Sequence, residues 1–475
     1  MHKIPGRSRS SLNPKLNKRF ATCFAAASAA QSRSAFLNLC LLLTFLAALG
    51  FAASAFASSP KERIIYAFQG GTDGIQPWGG VLSVGGKFYG VTMGGGGSNC
   101  QPQAECGTVF ELAPASAGQW TESVIYVFKG KAFNDGNTPS GGLVADRMGN
   151  LYGTTYYGGS GNCVLVGILA GCGTIFELSP PRISGGSWSE TIVYSFQGGN
   201  DSYVPRDVLI FDQAGNLYGV SQFGGSSTTD CDGYYQGCGT VFKLAPPTQK
   251  NGAWTESVLY AFTGQQDGGR PFRVVARQGA LYGTTFCGGL VPCVDINTSC
   301  GTVFQLLPPK VNGSAWSENV LYSFANQPDG CEPAASVIFD SSGNLYGTAG
   351  AGGTNFNGII FELSPPVSQG GNWTETIIDN IQKGQYPAGT LAFDKTGNLY
   401  GTTELIGTVL ELQHSTTGWT EVILHSFRAI GTSDGFWPTD RLTMDGKGNL
   451  YGTTLVGGGS ANCSGGCGTV YEVIP

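Results

Sequence analysis

From Glu62 onward the chain is written in short runs where apolar and polar residues alternate, each closed off by Gly, Pro, Asn or Asp. Examples are Glu62-Arg-Ile-Ile-Tyr-Ala-Phe68 and Val258-Leu259-Tyr260-Ala261-Phe262. A period of two over so few residues is the signature of half-buried β-strands, and the punctuating residues predict tight turns.

The runs recur in register. Leu-Tyr-Gly or Phe-Tyr-Gly occurs seven times, its tyrosine at Tyr89, Tyr152, Tyr218, Tyr282, Tyr346, Tyr400 and Tyr451, with spacings of 51 to 66 residues. Gly-Thr-Val-Phe or a variant starts at Gly107, Gly173, Gly239, Gly301, Gly358, Gly407 and Gly468. Trp-Thr/Ser-Glu opens a further run, and an Asp-Gly pair with a nearby proline, such as Asp267, Gly268 and Pro271, precedes the next.

Each unit therefore holds four strands, A to D, predicted in the second unit at Gly142–Asp146, Asn150–Thr155, Gly173–Leu178 and Glu190–Phe196. Four antiparallel strands per repeat, seven times over, predict an all-β, seven-bladed β-propeller. The chain opens with a lone D strand and stops after a C strand, Gly468–Ile474. The N-terminal strand is thus expected to join the last blade and close the ring, which removes two open sheet edges. The aspartates of Asp146-Arg-Met-Gly-Asn150 and its equivalents from Asp212, Asp340, Asp394 and Asp445 are expected to build A–B turns, not to bind calcium, because two repeats omit them.

Composition adds a compartment. Residues 1–57 hold seven basic side chains and no acid, and the uncharged run Ala35–Ala57 ends in an A-x-A pattern. It reads as a signal peptide for secretion, or, uncleaved, as an N-terminal anchor, since 23 uncharged residues can span a bilayer. The single propeller domain is expected over residues 62–475. Beyond the signal, 19 basic residues face 32 acidic ones, a net charge near −13. That balance excludes a phosphate-neutralising footprint, so no nucleic-acid partner is expected.

Twelve cysteines follow the signal, and five close pairs recur at one place in the repeat: Cys100/Cys106, Cys163/Cys172, Cys231/Cys238, Cys293/Cys300 and Cys463/Cys467. Behind an export signal these predict disulfides. The two left over, Cys287 and Cys331, are expected to bridge neighbouring repeats. No histidine stands beside the pairs, so zinc is not expected there.

The composite Asp-x-x-Gly-Asn-Leu-Tyr-Gly-Thr-Thr, a Gly-Gly loop and Cys-Gly-Thr-Val-Phe-Glu-Leu-Ser-Pro resembles the GloVer tandem repeat of bacterial choice-of-anchor secreted proteins. The clearest stretches are Asp146–Thr155 with Cys172–Pro180, and Asp445–Thr454 with Cys467–Val470. The resemblance covers residues 62–475 and implies a bacterial exported or surface protein, with no activity to carry over. Because the last residues belong to a blade strand, a C-terminal anchor is not expected.

Candidate chemistry sits where the repeat is broken. Nine of the 32 acids fall outside the repeated positions, and all but Asp379 are in D–A or B–C connections, which share one face, or at strand ends beside them. Just after the loop prolines, where small residues such as Ser140, Ala334 and Ala388 are usual, the chain carries Trp78, Arg206-Asp207, Phe272-Arg273 and Asp440-Arg441 beside Trp437. With Glu332 these form a candidate ligand-binding mouth (Trp78, Arg206, Asp207, Arg273, Glu332, Trp437, Asp440, Arg441), suited to a sugar or anion. The same arginines and acids could instead neutralise one another as structural ion pairs.

No catalytic residue is assigned. The two histidines after the signal are His414, in a C–D loop of the other face, and His425, which stands where Tyr260 stands in its own repeat. The expectation is a monomeric, non-enzymatic exported propeller that presents a loop face to an extracellular protein or glycan, without cofactor. Its rivals are a polysaccharide hydrolase or lyase, a calcium-dependent lactonase-like enzyme using Asp207, Asp440 and Glu332, and a purely structural surface protein.

Overall fold

The computed structural model describes residues 60–475 apart from 98–105, 166, 184, 229–230, 232–234, 250–251, 294–298, 312, 369, 383–384, 388, 406 and 429. The signal and Cys100 lie outside the described residues. Pro60–Pro475 forms one compact unit. Among the described residues no helix is long and apolar enough to cross a membrane.

The strands form seven antiparallel blades, each ordered A-B-C-D from the axis outward. In blade 2 these are Gly136–Ala145, Leu151–Gly158, Thr174–Ser179 and Ser189–Ser195. Strand A starts six residues earlier than the spacing predicts, because it runs through the loop proline and a bulge before reaching the predicted segment. Blade 7 is completed by the first strand: Lys61–Ala67 pairs antiparallel with Thr469–Ile474, in the register Glu62↔Val473 and Ile64↔Tyr471. The ring is closed as expected.

Blades pack through aromatic residues that the repeat places on facing strands. After six of the seven D strands a buried Phe meets the aromatic residue of the next C strand, edge-on or tilted: Phe68–Phe110, Phe128–Phe176, Phe196–Phe242, Phe262–Phe304, Phe324–Phe361 and Phe427–Tyr471, all at 4.9–5.2 Å. Such contacts exclude water and add ring–ring attraction to the buried area. The hairpin tryptophans pack between blades, Trp188 on Tyr89, Trp254 on Tyr152 and Trp419 on Tyr346. The A–B aspartates accept turn hydrogen bonds, for instance from the N–H groups of Met148 and Asn150 to Asp146 at 2.8 and 2.9 Å.

A backbone hook joins consecutive blades. The residue before the loop proline adopts φ between +55° and +59° at Gln76, Thr138, Val204, Arg270, Glu332 and Trp437. Residues before proline ordinarily stay extended, so this conformation costs about 1–3 kcal/mol and must be held by its surroundings. In five of the six, the N–H of that residue donates to the carbonyl of the residue before the Gly-Thr of the preceding C strand. The pairs are Gln76–Cys467, Thr138–Cys106, Val204–Cys172, Arg270–Cys238 and Glu332–Cys300, at 2.7–3.2 Å.

That hook decides the cysteine pairing and corrects the sequence expectation. Cys163–Cys172, Cys231–Cys238 and Cys463–Cys467 are bonded as expected, but Cys293 joins Cys287, and Cys300 joins Cys331. Cys331 precedes Glu332, so the hook to Cys300 brings the two Cα atoms to 4.3 Å. Cys293 then turns back to Cys287 at the end of strand B, with Cα atoms 5.0 Å apart. Cys331 does bridge neighbouring repeats; Cys287 does not. Disulfides in this number belong to a chain that folds in an oxidising compartment.

Candidate functional site

Strand A is irregular near the axis, and the irregularity selects which side chains face the centre. Blades 1, 2, 3 and 7 each insert a wide bulge, at Trp78/Leu82, Ser140/Val144, Arg206/Ile210 and Thr439/Thr443, and blade 4 a narrower one around Arg273. Bulges break the strand's alternation and re-aim side chains. In blades 1 and 2 they hold glycine because adjacent bulges touch: a Cβ on Gly141 would lie 2.5 Å from the Cα of Asp207. Blade 3 carries Asp207 at the position of Gly141, with the same φ of +74°. A non-glycine residue in that conformation is a strained departure from the repeat.

Strand A is short in the neighbouring blades. In blade 5 it is reduced to Gly330–Cys331 and Ile338–Phe339, and in blade 6 to Gln385–Pro387 and Ala392–Phe393. On this side a cavity of about 260 Å³ opens at the axis. Trp78, Arg206, Asp207 and Glu332 line it, together with Phe272, Phe286, Ala334, Gly350, Tyr386, Pro387 and Glu404. Four of the eight candidate residues thus surround one space.

One arginine, Arg206, and three acids, Asp207, Glu332 and Glu404, line that space. Arg273 is buried, forms an ion pair with Asp207 and donates to Thr390 Oγ1 at 3.0 Å. The backbone N–H of Val208 also donates to Asp207, at 2.7 Å. Burial holds the Glu332 carboxyl above the usual carboxylate range, with the charge of Arg270 pulling it back. Glu404 is raised by burial in the same way, opposed by Arg206. The Arg206 guanidinium lies 4.6 Å from the ring centre of Phe272 and 5.9 Å from that of Tyr156, while Arg270 covers Phe286 at 4.9 Å. Cation–π contact holds both guanidinium groups against aromatic faces.

The other candidates are placed differently. Arg273 stands behind the lining as the partner of Asp207. Trp437 stacks beside Phe436 at 6.0 Å, and Arg441 reaches across the inner strands to donate to the Leu143 carbonyl at 3.3 Å. Asp440 is in the bulge of blade 7, and its side chain lies outside the described part of the structure. Glu105, Asp230, Asp232 and Asp295 lie outside the described residues. Phe286 and Tyr386 were not singled out from sequence; Tyr386 shares with Glu332 the place before the loop proline, but most residues at that place do not line the cavity.

His414 lies tilted against Trp419 at 4.7 Å on the outer hairpin. His425 pairs with Val409 in the register that Tyr260 has with Val241, so it replaces a core tyrosine as the repeat implies. It points at Asp434, with Nε2 3.5 Å from Oδ2.

Comparison with curated proteins finds no match. Among solved structures, virginiamycin B lyase from Staphylococcus aureus is similar over 88% of this chain and all of its own, at 12% identity and a TM-score of 0.48. A protein from Lactobacillus plantarum is similar over 74% of this chain and 86% of its own, at 14% identity and a TM-score of 0.46. Likeness at that level carries no argument about ligand or chemistry. The family model described as the Gloeobacter/Verrucomicrobia repeat matches residues 56–231 and 227–471. With both matches spanning nearly all of the repeated region, the chain belongs to the Gloeobacter/Verrucomicrobia repeat family.

Proposed function

We propose that this is an exported, non-enzymatic binding propeller whose axial cavity takes a small polar ligand, best a sugar unit of an extracellular glycan. The carrying observation is the convergence of Trp78, Phe272 and Tyr386 with Arg206, Glu332 and Glu404 on one cavity of about 260 Å³. Aromatic faces cover the apolar side of a pyranose, and the forked arginine and carboxyls match its hydroxyls. The volume is near the lower bound of roughly 300 Å³ for ligand pockets, which suits one or two sugar units.

Binding is favoured over hydrolysis because the Asp207 carboxylate is engaged in an ion pair by the buried Arg273. A carboxylate engaged in this way is a poor nucleophile or calcium ligand. The test is a thermal-shift screen of the purified protein against neutral and uronic oligosaccharides, with Trp78→Ala and Arg206→Ala beside it. A hit that raises the wild-type Tm and leaves both variants unmoved supports the proposal, because a ligand of the folded form stabilises by mass action. A hit that stabilises all three equally, or bond cleavage in the best ligand, contradicts it.

A further inference from the structure

At the outer rim a three-residue cluster is repeated between blades. A D-strand tyrosine donates to the aspartate of the following loop: Tyr66 to Asp73, Tyr126 to Asp135, Tyr194 to Asp201, Tyr260 to Asp267 and Tyr322 to Asp329, at 2.8–3.2 Å. The glutamate of the next D strand adjoins each aspartate, and its Oε1 is buried with no hydrogen-bond partner in all seven blades. Two clusters differ: between blades 5 and 6 Asp379 stands at the tyrosine position, near Glu421. Between blades 6 and 7 the tyrosine is replaced by His425, next to Asp434 and Glu62.

Imidazole is shorter than phenol, and it brings a nitrogen lone pair where the tyrosine clusters have a hydroxyl proton. His425 Nε2 stops 3.5 Å from Asp434 Oδ2, and both His425 Nε2 and Glu62 Oε1 are buried without a hydrogen-bond partner. The ring is held edge-on by Phe427 at 4.6 Å. Asp434 is fixed by the N–H groups of Arg428 and Gly435 at 3.0 and 2.8 Å. One donor atom from each of Glu62, His425 and Asp434 lies within 4.8 Å of the others. Ligands bonded to zinc at about 2.0–2.2 Å in a tetrahedron sit roughly 3.4 Å apart, so small side-chain rotations bring the three into range.

We propose that Glu62, His425 and Asp434 form a binding site for a zinc-like divalent cation that staples the ring-closing strand to blade 6. Imidazole with two carboxylates selects late first-row metals over calcium or magnesium, and water would fill the fourth position. Glu62 is on Lys61–Ala67 and His425 on Gly418–Ser426, so the ion would tie the first strand to a blade it does not pair with. The other compact group, Cys231, Cys287 and Cys293, consists of sulfurs already in disulfides and offers no thiolate.

The test is zinc titration of the metal-stripped, disulfide-intact protein, read by bound metal per chain and by Tm. His425→Tyr restores the residue that five other blades carry, Glu62→Gln removes one ligand in place, and His414→Ala controls for the exposed histidine. The expected result is one zinc per chain and a raised Tm in the wild type and His414→Ala, with at least tenfold weaker binding in His425→Tyr and Glu62→Gln. If His425→Tyr does not fold, Glu62→Gln decides. Failure of the wild type to retain zinc, or binding by the folded variants as tight as the wild type's, overturns the proposal.

Discussion

Arg63 and Glu472 face each other across the seam of the ring, guanidinium to carboxylate at 2.6 Å, where the first strand lies against the last. The arginine is about half exposed, so the pair contributes less than about 1 kcal/mol to closure. Phe68, one residue beyond the same strand, is fully buried against Phe110 of blade 1. Phe68→Ala is expected to cost about 3–5 kcal/mol in urea unfolding, and Arg63→Ala less than about 1. A larger loss from Arg63→Ala would mean that the seam is held by charge and not by packing.

The seam was legible in the chain because a propeller repeat out of phase at both ends has one economical solution. Blade count, turn aspartates and the tyrosine register of His425 followed from the same periodicity. Near the axis the periodicity stops helping. The left-handed residue before six of the loop prolines runs against the local preference of X–Pro, and in five of them a hydrogen bond to the preceding blade helps to sustain it. Bulges around Asp207 and Arg273 then reset which side chains point inward, so Glu404, Tyr386 and Phe286 could not be joined to Trp78 by counting residues. The Cys300–Cys331 bond was hidden for the same reason: the hook that aligns it is tertiary.

The cysteine network has a direct check. Peptide mass spectrometry without reduction is expected to recover Cys287 linked to Cys293 and Cys300 linked to Cys331. The latter closes 31 residues, against 4 for Cys463–Cys467, so the chain-entropy estimate gives about 4 kcal/mol for the first and about 2 kcal/mol for the second. Cys300→Ser/Cys331→Ser should therefore lower stability more than Cys463→Ser/Cys467→Ser. Recovery of a Cys293–Cys300 peptide would contradict this arrangement.

The rim glutamates set the pH dependence. Burial, and then the neighbouring aspartate, pushes Glu122, Glu190, Glu256 and Glu375 up to about 7 and Glu318 to about 8. The folded state therefore holds protons that the unfolded chain has released above its ordinary value of 4.5. Stability from these groups is complete below about pH 4.5 and is lost as pH rises through 7 to 8. The Tm at about pH 5 should exceed that at about pH 8 by several degrees, and Glu190→Gln should reduce the difference. An unchanged or higher Tm at the alkaline end would refute buried, protonated glutamates.

Asp207 and Arg273 should behave as a coupled pair. Arg273→Met leaves a carboxylate buried without its partner and is expected to cost about 3–5 kcal/mol. Asp207→Gly/Arg273→Met removes both charges and relieves the left-handed strain at Asp207, so it should recover most of that loss. Additive losses in the double variant, measured by urea unfolding, would show that the two residues act independently.

Whether the axial cavity is where ligand binds is best answered by hydrogen exchange followed by mass spectrometry, with and without the oligosaccharide that most raises the Tm. Slower exchange is expected in 203–208, 330–335 and 385–404, the segments that carry Arg206, Glu332, Tyr386 and Glu404, with the hairpins around Trp188 and Trp254 unchanged. Protection confined to those outer hairpins, or spread evenly over the blades, would contradict an axial binding site.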